Sequence, residues 1–504
     1  MGSSDGNAQK TDPSYRGILK STFIMGASSV ITTILGIVRV KAIALILGPS
    51  GMGLTGIYMT ITSMASAVSG MGIRESGVRQ IAEAFGTGDG QRVSRTATSI
   101  RRAALLSGIA GSLGLLVLSG RASEFTFGNA LHRHDIALLS LATLFGAVSG
   151  GQTALIQGMR RVRDLAKVSM IGALMGTVCS IPIVYYFGRK GIASYLVVVA
   201  ATGILTSWWF SRRITLATVT SGWRESLSEA KPLLKLGSAL MLGALLTPCT
   251  HYLLRTFIVR FEGLGAAGVY HASTMLSVIY VHVILNSMIT DFYPRLSAGS
   301  HDNAFCRSLI NDQIEVGLLL AVPGILAIMT YTPLVIAIFY SSEFMGAVDI
   351  LRWQILGVML QVVTWPMGFM LRAKAKGKLF FYTELFANVL NLGLSWLGLV
   401  YFGLVGIGMA YFGMNLIYLI LIYMIDRSNF QFTLAVVNVR LLAGFALATG
   451  IVFITPQYLS QTMYMVANTC IALLAAGYSI RTLAEKTDIT SSQLLLKIRT
   501  KLSF

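Results

Sequence analysis

The stretch GIVRVKAIALILGPSGMGLTGIY, residues 36–58, decides the fold because it is long, apolar and interrupted by only two charged residues, Arg39 and Lys41. The whole chain of 504 residues has the same character, since 54% of its residues are hydrophobic and 12% are charged. An ordinary soluble domain carries about 25% charged residues. The sequence therefore predicts a membrane protein.

Apolar runs of about 20 residues, enough to cross a hydrocarbon core of ~30 Å, recur along the chain. They predict an all-α polytopic fold with about fourteen membrane-spanning helices. The predicted spans lie near residues 19–46, 50–72, 103–119, 136–157, 168–187, 191–210, 236–258, 265–291, 315–340, 347–370, 379–401, 405–425, 441–455 and 462–480. The polar N-terminus lacks the pattern of a cleaved signal peptide, so we expect the first helix to act as the targeting signal.

The formal net charge of +19 is distributed along the chain in a way that predicts topology. A nucleic-acid-binding protein would carry its cations on a hydrophilic domain, and no such domain is predicted here. Most of the Lys and Arg residues fall instead in alternate short loops, which favours a cytoplasmic location for those loops and for both termini. We expect contact with anionic membrane lipids as a secondary use of these cations.

Two short strings are repeated at nearly the same offset. GLTGIY at residues 53–58 returns as GAAGVY at 265–270, and YFGRKGI at 186–192 returns as YFGLVGI at 401–407. Because six helices separate the copies, we expect two six-helix lobes related by a two-fold axis along the membrane normal, followed by two C-terminal helices. The predicted divisions are a cytoplasmic tail at 1–17, lobes at 18–213 and 233–427 joined by a linker at 214–232, the two added helices at 428–482 and a tail at 483–504.

The sequence does not predict a catalytic site. The outer loops are short, and the sequence contains no paired carboxylates, nucleophile motif, Walker sequence or metal-binding box. The four cysteines lie in apolar segments or a basic loop without metal-ligand spacing, so we expect free thiols. The sequence thus predicts neither enzyme activity nor a cofactor or metal site, and a two-lobed helical bundle favours a transporter.

Arg39 and Lys41 need an explanation because each cation near the middle of a bilayer costs about 2.5 to 3.5 kcal/mol on insertion scales. Ser28, Thr32 and Arg39 share one helix face at offsets of four and seven, which favours a water-filled wall. The alternative is that the helix ends early and both cations extend to the outer membrane surface.

The second half provides a similar cation. Adding the repeat offset to Arg39 leads to within four residues of Arg255, which has His251 four residues before it and Pro248 nearby. A cavity lined by such cations would favour an anionic ligand, and the planar guanidinium suits phosphate well. We therefore predict that Arg39, Lys41 and Arg255 bind phosphate groups, with His251 beside them.

Three further groups are candidates for ion coupling: His282, Asp291 and Glu384. A histidine inside a membrane helix is either a hydrogen-bonded structural residue or a proton relay. Glu384 is either the partner of a lysine such as Lys378 or a site for a coupling ion, proton or sodium. Arg352 could bind ligand or pair with Asp349, three residues before it.

Two longer strings carry a family resemblance. GPSGMGLTGIYMTITSMASAVSGMGIRESGVRQIAEAF, residues 48–85, resembles the first hairpin of bacterial oligosaccharide flippases, the Wzx-type O-antigen translocases of the multidrug/oligosaccharidyl-lipid/polysaccharide exporter superfamily. LRWQILGVMLQVVTWPMGFMLRAKAKGKLFFYTELFANVL, residues 351–390, is similar to the helix 10–11 region of the same group. The residues that fit family motifs are Arg39 and Lys41, Arg79, Arg352, Trp353, Trp365 and Pro366. Arg74 and Glu75 depart from the pattern by replacing small polar residues.

The resemblance implies a flippase of the bacterial inner membrane that moves undecaprenyl-pyrophosphate-linked oligosaccharide repeat units to the periplasmic leaflet by alternating access. It implies Arg79 and Arg352 as further substrate-binding residues and a polysaccharide polymerase as a possible partner. Alternatives are a flippase for a peptidoglycan or teichoic precursor, an ion-coupled multidrug exporter, and a passive channel or scaffold.

Overall fold

The computed structural model describes the backbone of residues 13–215 and 223–486, and the side chains of residues 24–215, 241, 243–277, 285, 288 and 292–486. Throughout these ranges the regular structure is helical. The helices are α1 Pro13–Gly70, α2 Ile73–Gly86, α3 Gly90–Phe127, α4 Arg133–Gly158, α5 Val162–Phe187, α6 Gly191–Ser211, α7 Trp223–Ala298, α8 Asn303–Thr330, α9 Thr332–Phe339, α10 Ala347–Ala373, α11 Gly377–Phe430, α12 Val436–Tyr458 and α13 Gln461–Lys486.

Three of these helices are bent at a glycine and contain two membrane-length segments each. The bends are at Gly48 in α1, Gly263 in α7 and Gly403 in α11, with φ of 64°, 86° and 60°. Only glycine adopts this region readily, because it has no Cβ. When these helices are divided at their bends and the short α2 and α9 are set aside, the described chain has fourteen segments of membrane length. The predicted all-α polytopic fold is confirmed, and the chain is a multi-pass membrane protein.

The helix ends differ from the predicted spans where polar residues extend a helix beyond the apolar run. α3 begins at Gly90 and α8 at Asn303, because the carboxylates of Asp89 and Asp302 accept hydrogen bonds from free amides of the first turn. The predicted span 315–340 is interrupted at Tyr331, where α8 ends and α9 begins. Helix α2 is amphipathic and too polar to be found by a search for membrane-length runs.

The backbone repeats with an offset of 215 residues. Gly48 and Gly263 share one bend, and Gly188 and Gly403 share another. Arg160 and Ala375 both have φ of 55°, and each is followed by a residue whose amide donates to a carbonyl five positions earlier. The internal repeat is thus present in the backbone. The sequence match between residues 53–58 and 265–270 has an offset of 212, which is three residues shorter than the offset of the backbone repeat.

The chain divides into two compact units. The first contains Met1–Leu47 and Ile57–Pro248, and the second contains Gly48–Gly56 and Cys249–Phe504. Nine residues of α1 therefore pack with the second unit. The division at 248 differs from the predicted linker at 214–232, which lies partly outside the described residues together with parts of both predicted tails.

Each unit has its own apolar core. In the first unit, α2 packs on α3 and α4 through Ile81 and Ile100, which are fully buried. Gly158 allows this packing, since a methyl group there would lie 2.7 Å from Cβ of Ile81. In the second unit, Leu254, Tyr270 and Ile407 belong to one cluster of buried residues.

Candidate functional site

The first unit contains an open cavity of about 750 Å³. Most of the side chains around it are small, and five of the lining residues are serine or threonine. The lining residues are Ser66, Ala67, Gly70, Gly72, Ile73, Arg74, Glu75, Ala104, Ser107, Gly146, Ala147, Ser149, Gly150, Gly151, Thr153, Leu165, Ser169, Ala200, Gly203, Met241 and Ala244. Such a surface offers hydroxyl groups and accessible backbone, which suits a polar, hydroxyl-rich ligand.

The cavity owes its shape to the small-residue run GAVSGGQT in α4, residues 146–153. Gly151 lets α4 approach α3 closely, since a methyl group there would lie 2.9 Å from Cβ of Ala104. A hydroxyl network connects α4 to α6. Ser207 lies within hydrogen-bond distance of Gln152 Oε1 at 2.5 Å and of Ser149 Oγ at 3.1 Å. These bonds hold the polar wall in place.

Arg74 and Glu75 provide the ionic side chains among these lining residues. They lie in the first turn of α2, directly after Met71 and Gly72, whose φ values are 41° and 61°. Both side chains are exposed, and neither forms a hydrogen bond or ion pair with any described residue. A cation and a carboxylate are thus available to a ligand in the cavity. The sequence marked both positions as departures from the family pattern, although it did not place them at a cavity.

Arg39 and Lys41 lie inside α1, well before its bend at Gly48. At 1.5 Å per residue, Arg39 is about 14 Å and Lys41 about 10 Å along the axis from that bend. The helix does not end near Lys41, so the alternative of an early helix end is wrong. Arg39 is half-buried beside α5, with Nη1 3.6 Å from the position that a methyl group on Gly176 would take.

Arg255 lies in α7 and belongs to the second unit. Its guanidinium is buried, donates to the backbone carbonyl of Gly56 and lies 3.1 Å from Nδ1 of His271. The Nδ1 atom of His251 is also buried and has no partner in the described part of the structure. The offset of 215 pairs Arg39 with Leu254, so Arg255 is one residue beyond the matching position. In this conformation Arg255 serves as a buried structural donor.

Arg352 and Arg79 occupy different surroundings. Arg352 in α10 is half-buried, and its Nε is enclosed without a partner among the described residues. It does not pair with Asp349. Arg79 lies on the exposed face of α2, where Nε is 2.8 Å from Oε1 of Glu83 and both side chains are more than half exposed. Arg79 therefore forms a solvent-exposed ion pair with Glu83.

The coupling candidates are only partly described. The side chains of His282 and Asp291 lie outside the described residues. Glu384 is half-buried and accepts a hydrogen bond of 3.5 Å from the Tyr418 hydroxyl. It forms no ion pair with Lys378 or with any other residue whose side chain is described.

Comparison with known proteins identifies the chain's relatives. Residues 42–349, more than half of the chain, match the family described as polysaccharide biosynthesis proteins. The chain belongs to that family. Among its relatives, the Lipid III flippase of Escherichia coli (strain K12) is 20% identical over 377 residues, covering 73% of this chain and 88% of the relative. The lipopolysaccharide biosynthesis protein WzxC of the same organism is 23% identical over 385 residues, covering 74% of each chain.

Solved structures of other proteins are similar in fold to this polysaccharide biosynthesis protein. The lipid II flippase MurJ, in an inward closed conformation, matches with a TM-score of 0.71 at 13% identity, covering 92% of this chain and 98% of MurJ. An inward-facing multidrug resistance MATE family transporter of the MOP superfamily matches with a TM-score of 0.70 at 16% identity, covering 79% of this chain and 94% of that one. The predicted resemblance in fold to this exporter superfamily is confirmed.

Proposed function

We propose that this chain is a flippase for undecaprenyl-pyrophosphate-linked oligosaccharides and moves them from the cytoplasmic to the periplasmic leaflet of the bacterial inner membrane by alternating access. The observation that carries the proposal is the cavity of the first unit, whose walls combine hydroxyls, accessible backbone and two unpaired ionic side chains. The family membership and the two relatives named for a Lipid III flippase and a lipopolysaccharide biosynthesis protein support it.

The proposed substrate is divided between two groups of side chains. The sugars occupy the hydroxyl-lined cavity, where Glu75 accepts hydrogen bonds from sugar hydroxyls and Arg74 faces the charged end of the headgroup. Arg39 and Lys41 neutralise the pyrophosphate, because ionised hydrogen bonds to phosphate are about twice as strong as neutral ones. In the second unit, Arg255 and His251 contribute to binding only in a conformation that releases the Gly56 carbonyl, and Arg352 is a further cation for the substrate.

The proposed orientation has both termini in the cytoplasm, as the distribution of Lys and Arg favours. The lipid tail remains in the bilayer while the headgroup crosses. Coupling to a proton or sodium gradient and cooperation with a polysaccharide polymerase belong to the same proposal.

Purified protein in liposomes tests the substrate class. The probes are a fluorescent undecaprenyl-pyrophosphate trisaccharide, fluorescent lipid II and fluorescent phosphatidylglycerol, each quenched from outside to measure transfer between leaflets. We expect rapid transfer of the trisaccharide lipid relative to the other two and to protein-free liposomes. Transfer of lipid II alone would establish the peptidoglycan-precursor alternative, and efflux of a cationic dye without lipid transfer would establish the drug-exporter alternative.

A further inference from the structure

Asp426 is a buried carboxyl group that the proposed substrate site does not use. It lies in α11, one residue after the predicted membrane span 405–425, and its exposed fraction is 0%. Both carboxylate oxygens are enclosed and have no hydrogen-bond partner among the described residues. Asp426 was not among the residues predicted to have a function, because an aspartate directly after an apolar run is usually solvated.

An ionised carboxylate is strongly disfavoured in such a place. Removing a charge from water without a compensating partner is so unfavourable that a buried acid normally takes up a proton and becomes neutral. A metal ion would instead require several oxygen ligands around it. Neither oxygen has a hydrogen-bond partner, and no group of three or more His, Cys, Asp or Glu side chains that could hold a metal ion is found among the described residues, so the surroundings suit a proton.

The charged side chains on neighbouring elements have other partners or face solvent. Lys374, at the end of α10, donates to Asn303 Oδ1 at 2.5 Å and lies 5.7 Å from the Phe430 ring. Arg427, next to Asp426, is exposed. At this end of the neighbouring helices, Arg372 lies over two phenylalanine rings, Glu315 and Lys486 pair with each other, and Arg307, Asp312 and Arg440 are exposed.

The internal repeat shows that the fold does not need a carboxyl group at this position. With the offset of 215, Asp426 corresponds to Ser211 at the end of α6. Ser211 is also buried, with 1% exposed, and its hydroxyl donates to the carbonyl of Trp208 at 3.2 Å. The same helix end is therefore built with a small neutral side chain in the first unit.

The link from α11 to α12 folds back onto the backbone of Asp426. The amide of Phe432 donates to the backbone carbonyl of Asp426 at 3.2 Å, and the Phe432 side chain is fully buried. Asn311 of α8 then holds the link through the Thr433 carbonyl and the Ala435 amide. Movement of this link would hydrate the carboxyl group and permit it to lose a proton.

We propose that Asp426 is a proton-binding site that is occupied in this conformation and empties when the α11–α12 link opens, so that a transport cycle visiting both states carries a proton. The coupling to transport rests on the proposed flippase function, whereas occupancy of the site by a proton does not.

Thermal unfolding of the purified full-length protein at pH 6 and pH 9 tests the occupancy. Wild type is compared with Asp426→Asn, Asp426→Ser and the exposed-site control Asp349→Asn. Because the unfolded chain releases this proton at ordinary carboxyl pH and the folded chain retains it, raising the pH favours unfolding of wild type. We expect the melting temperature of both Asp426 variants to fall less than that of wild type between pH 6 and pH 9. The melting temperature of Asp349→Asn should fall as much as that of wild type.

An Asp426→Asn protein that melts below wild type at pH 9 would overturn the proposal, because it would show a stabilising ionised carboxylate. Equal pH profiles for wild type and both variants would overturn it as well.

In liposomes with an imposed proton gradient, transfer of the trisaccharide lipid by wild type should respond to the gradient, and transfer by Asp426→Asn should not. If transfer by Asp426→Asn still responds to the proton gradient, the proposed coupling of Asp426 to transport is wrong. If wild type transfers no lipid, the proposed flippase function is wrong. The pH dependence of the melting temperature then tests the proton site independently of transport.

Discussion

Gly53 and Gly268 occupy equivalent positions of the repeat and touch each other within the second unit. A methyl group on Gly53 would lie 2.9 Å from the amide nitrogen of Gly268, and a methyl group on Gly268 would lie 2.9 Å from the amide nitrogen of Gly53. The contact is backbone against backbone, so no side-chain rotation can relieve an added atom. It fixes residues 48–56 against α7.

We expect Gly53→Ala to destabilise the protein. Alanine normally stabilises a helix relative to glycine by about 0.5 to 1 kcal/mol. Here its methyl group meets the Leu264 carbonyl and the Gly268 amide, and overpacking of this kind costs about 1–3 kcal/mol. The matched control is Gly36→Ala in the same helix, where no atom lies within 4 Å of the added carbon. Melting temperature in detergent should fall for Gly53→Ala alone. Equal melting temperatures for the two variants would contradict this contact.

Much of the fold follows from sequence because it depends on apolar length and on the repeat. The bends at Gly48 and Gly403 fall between predicted helices, where the apolar runs pause. Helix α2 and the extended starts of α3 and α8 were not predicted, since polar residues and capping carboxylates determine them. The exchange of residues 48–56 into the second unit could not be predicted, because it depends on backbone contacts about 215 residues away in the chain.

The site was predicted less completely than the fold. Arg39 and Lys41 stood out because a charge inside an apolar run is rare. The engagement of Arg255 with the Gly56 carbonyl depends on close packing that composition cannot reveal, since a methyl group on Gly56 would lie 3.0 Å from Cγ of the neighbouring His271. Arg74 and Glu75 were noticed as departures from a pattern, and only the three-dimensional arrangement brings them to a cavity.

Replacing Arg39 and Lys41 in α1 should slow transport. Loss of a charge-assisted hydrogen bond to phosphate costs about 1.5–3 kcal/mol, so we expect the Arg39→Gln, Lys41→Gln protein to transfer the trisaccharide lipid at least about tenfold more slowly. Arg481→Gln is the control, because it removes only an exposed ion pair with Glu485. The measurement is the initial rate per reconstituted molecule. Wild-type transfer by the double variant would refute the pyrophosphate assignment.

The last helix is attached to α8 by an ion pair. Lys486 Nζ lies 2.6 Å from Oε2 of Glu315, whose side chain is 8% exposed, whereas the lysine is 55% exposed. We expect Lys486→Met to lower the free energy of unfolding by about 1 kcal/mol, a value reduced by solvent screening of the exposed lysine. The exposed pair Arg481 and Glu485 provides the control variant Arg481→Met. If both variants melt alike, the Glu315 contact adds no stability.

Asn311 should be needed for the position of the α11–α12 link. Its side-chain amide donates to the Thr433 carbonyl at 3.0 Å and accepts from the Ala435 amide at 2.7 Å. Asn311→Ala leaves these groups unpaired, at about 1–3 kcal/mol for each one that stays buried. Limited proteolysis should then cut the link faster than in wild type or in the exposed control Asn429→Ala. Unchanged cleavage would show that the link is held by other contacts.

The placement of residues 48–56 in the second unit has a consequence for biosynthesis. These residues leave the ribosome about 200 residues before the part of α7 that they contact. At about 5–20 residues per second, the delay is roughly 10 to 40 s. During that time the glycine-rich surface of α1 is in the membrane without its native partner, so insertion factors or lipids must cover it until α7 arrives.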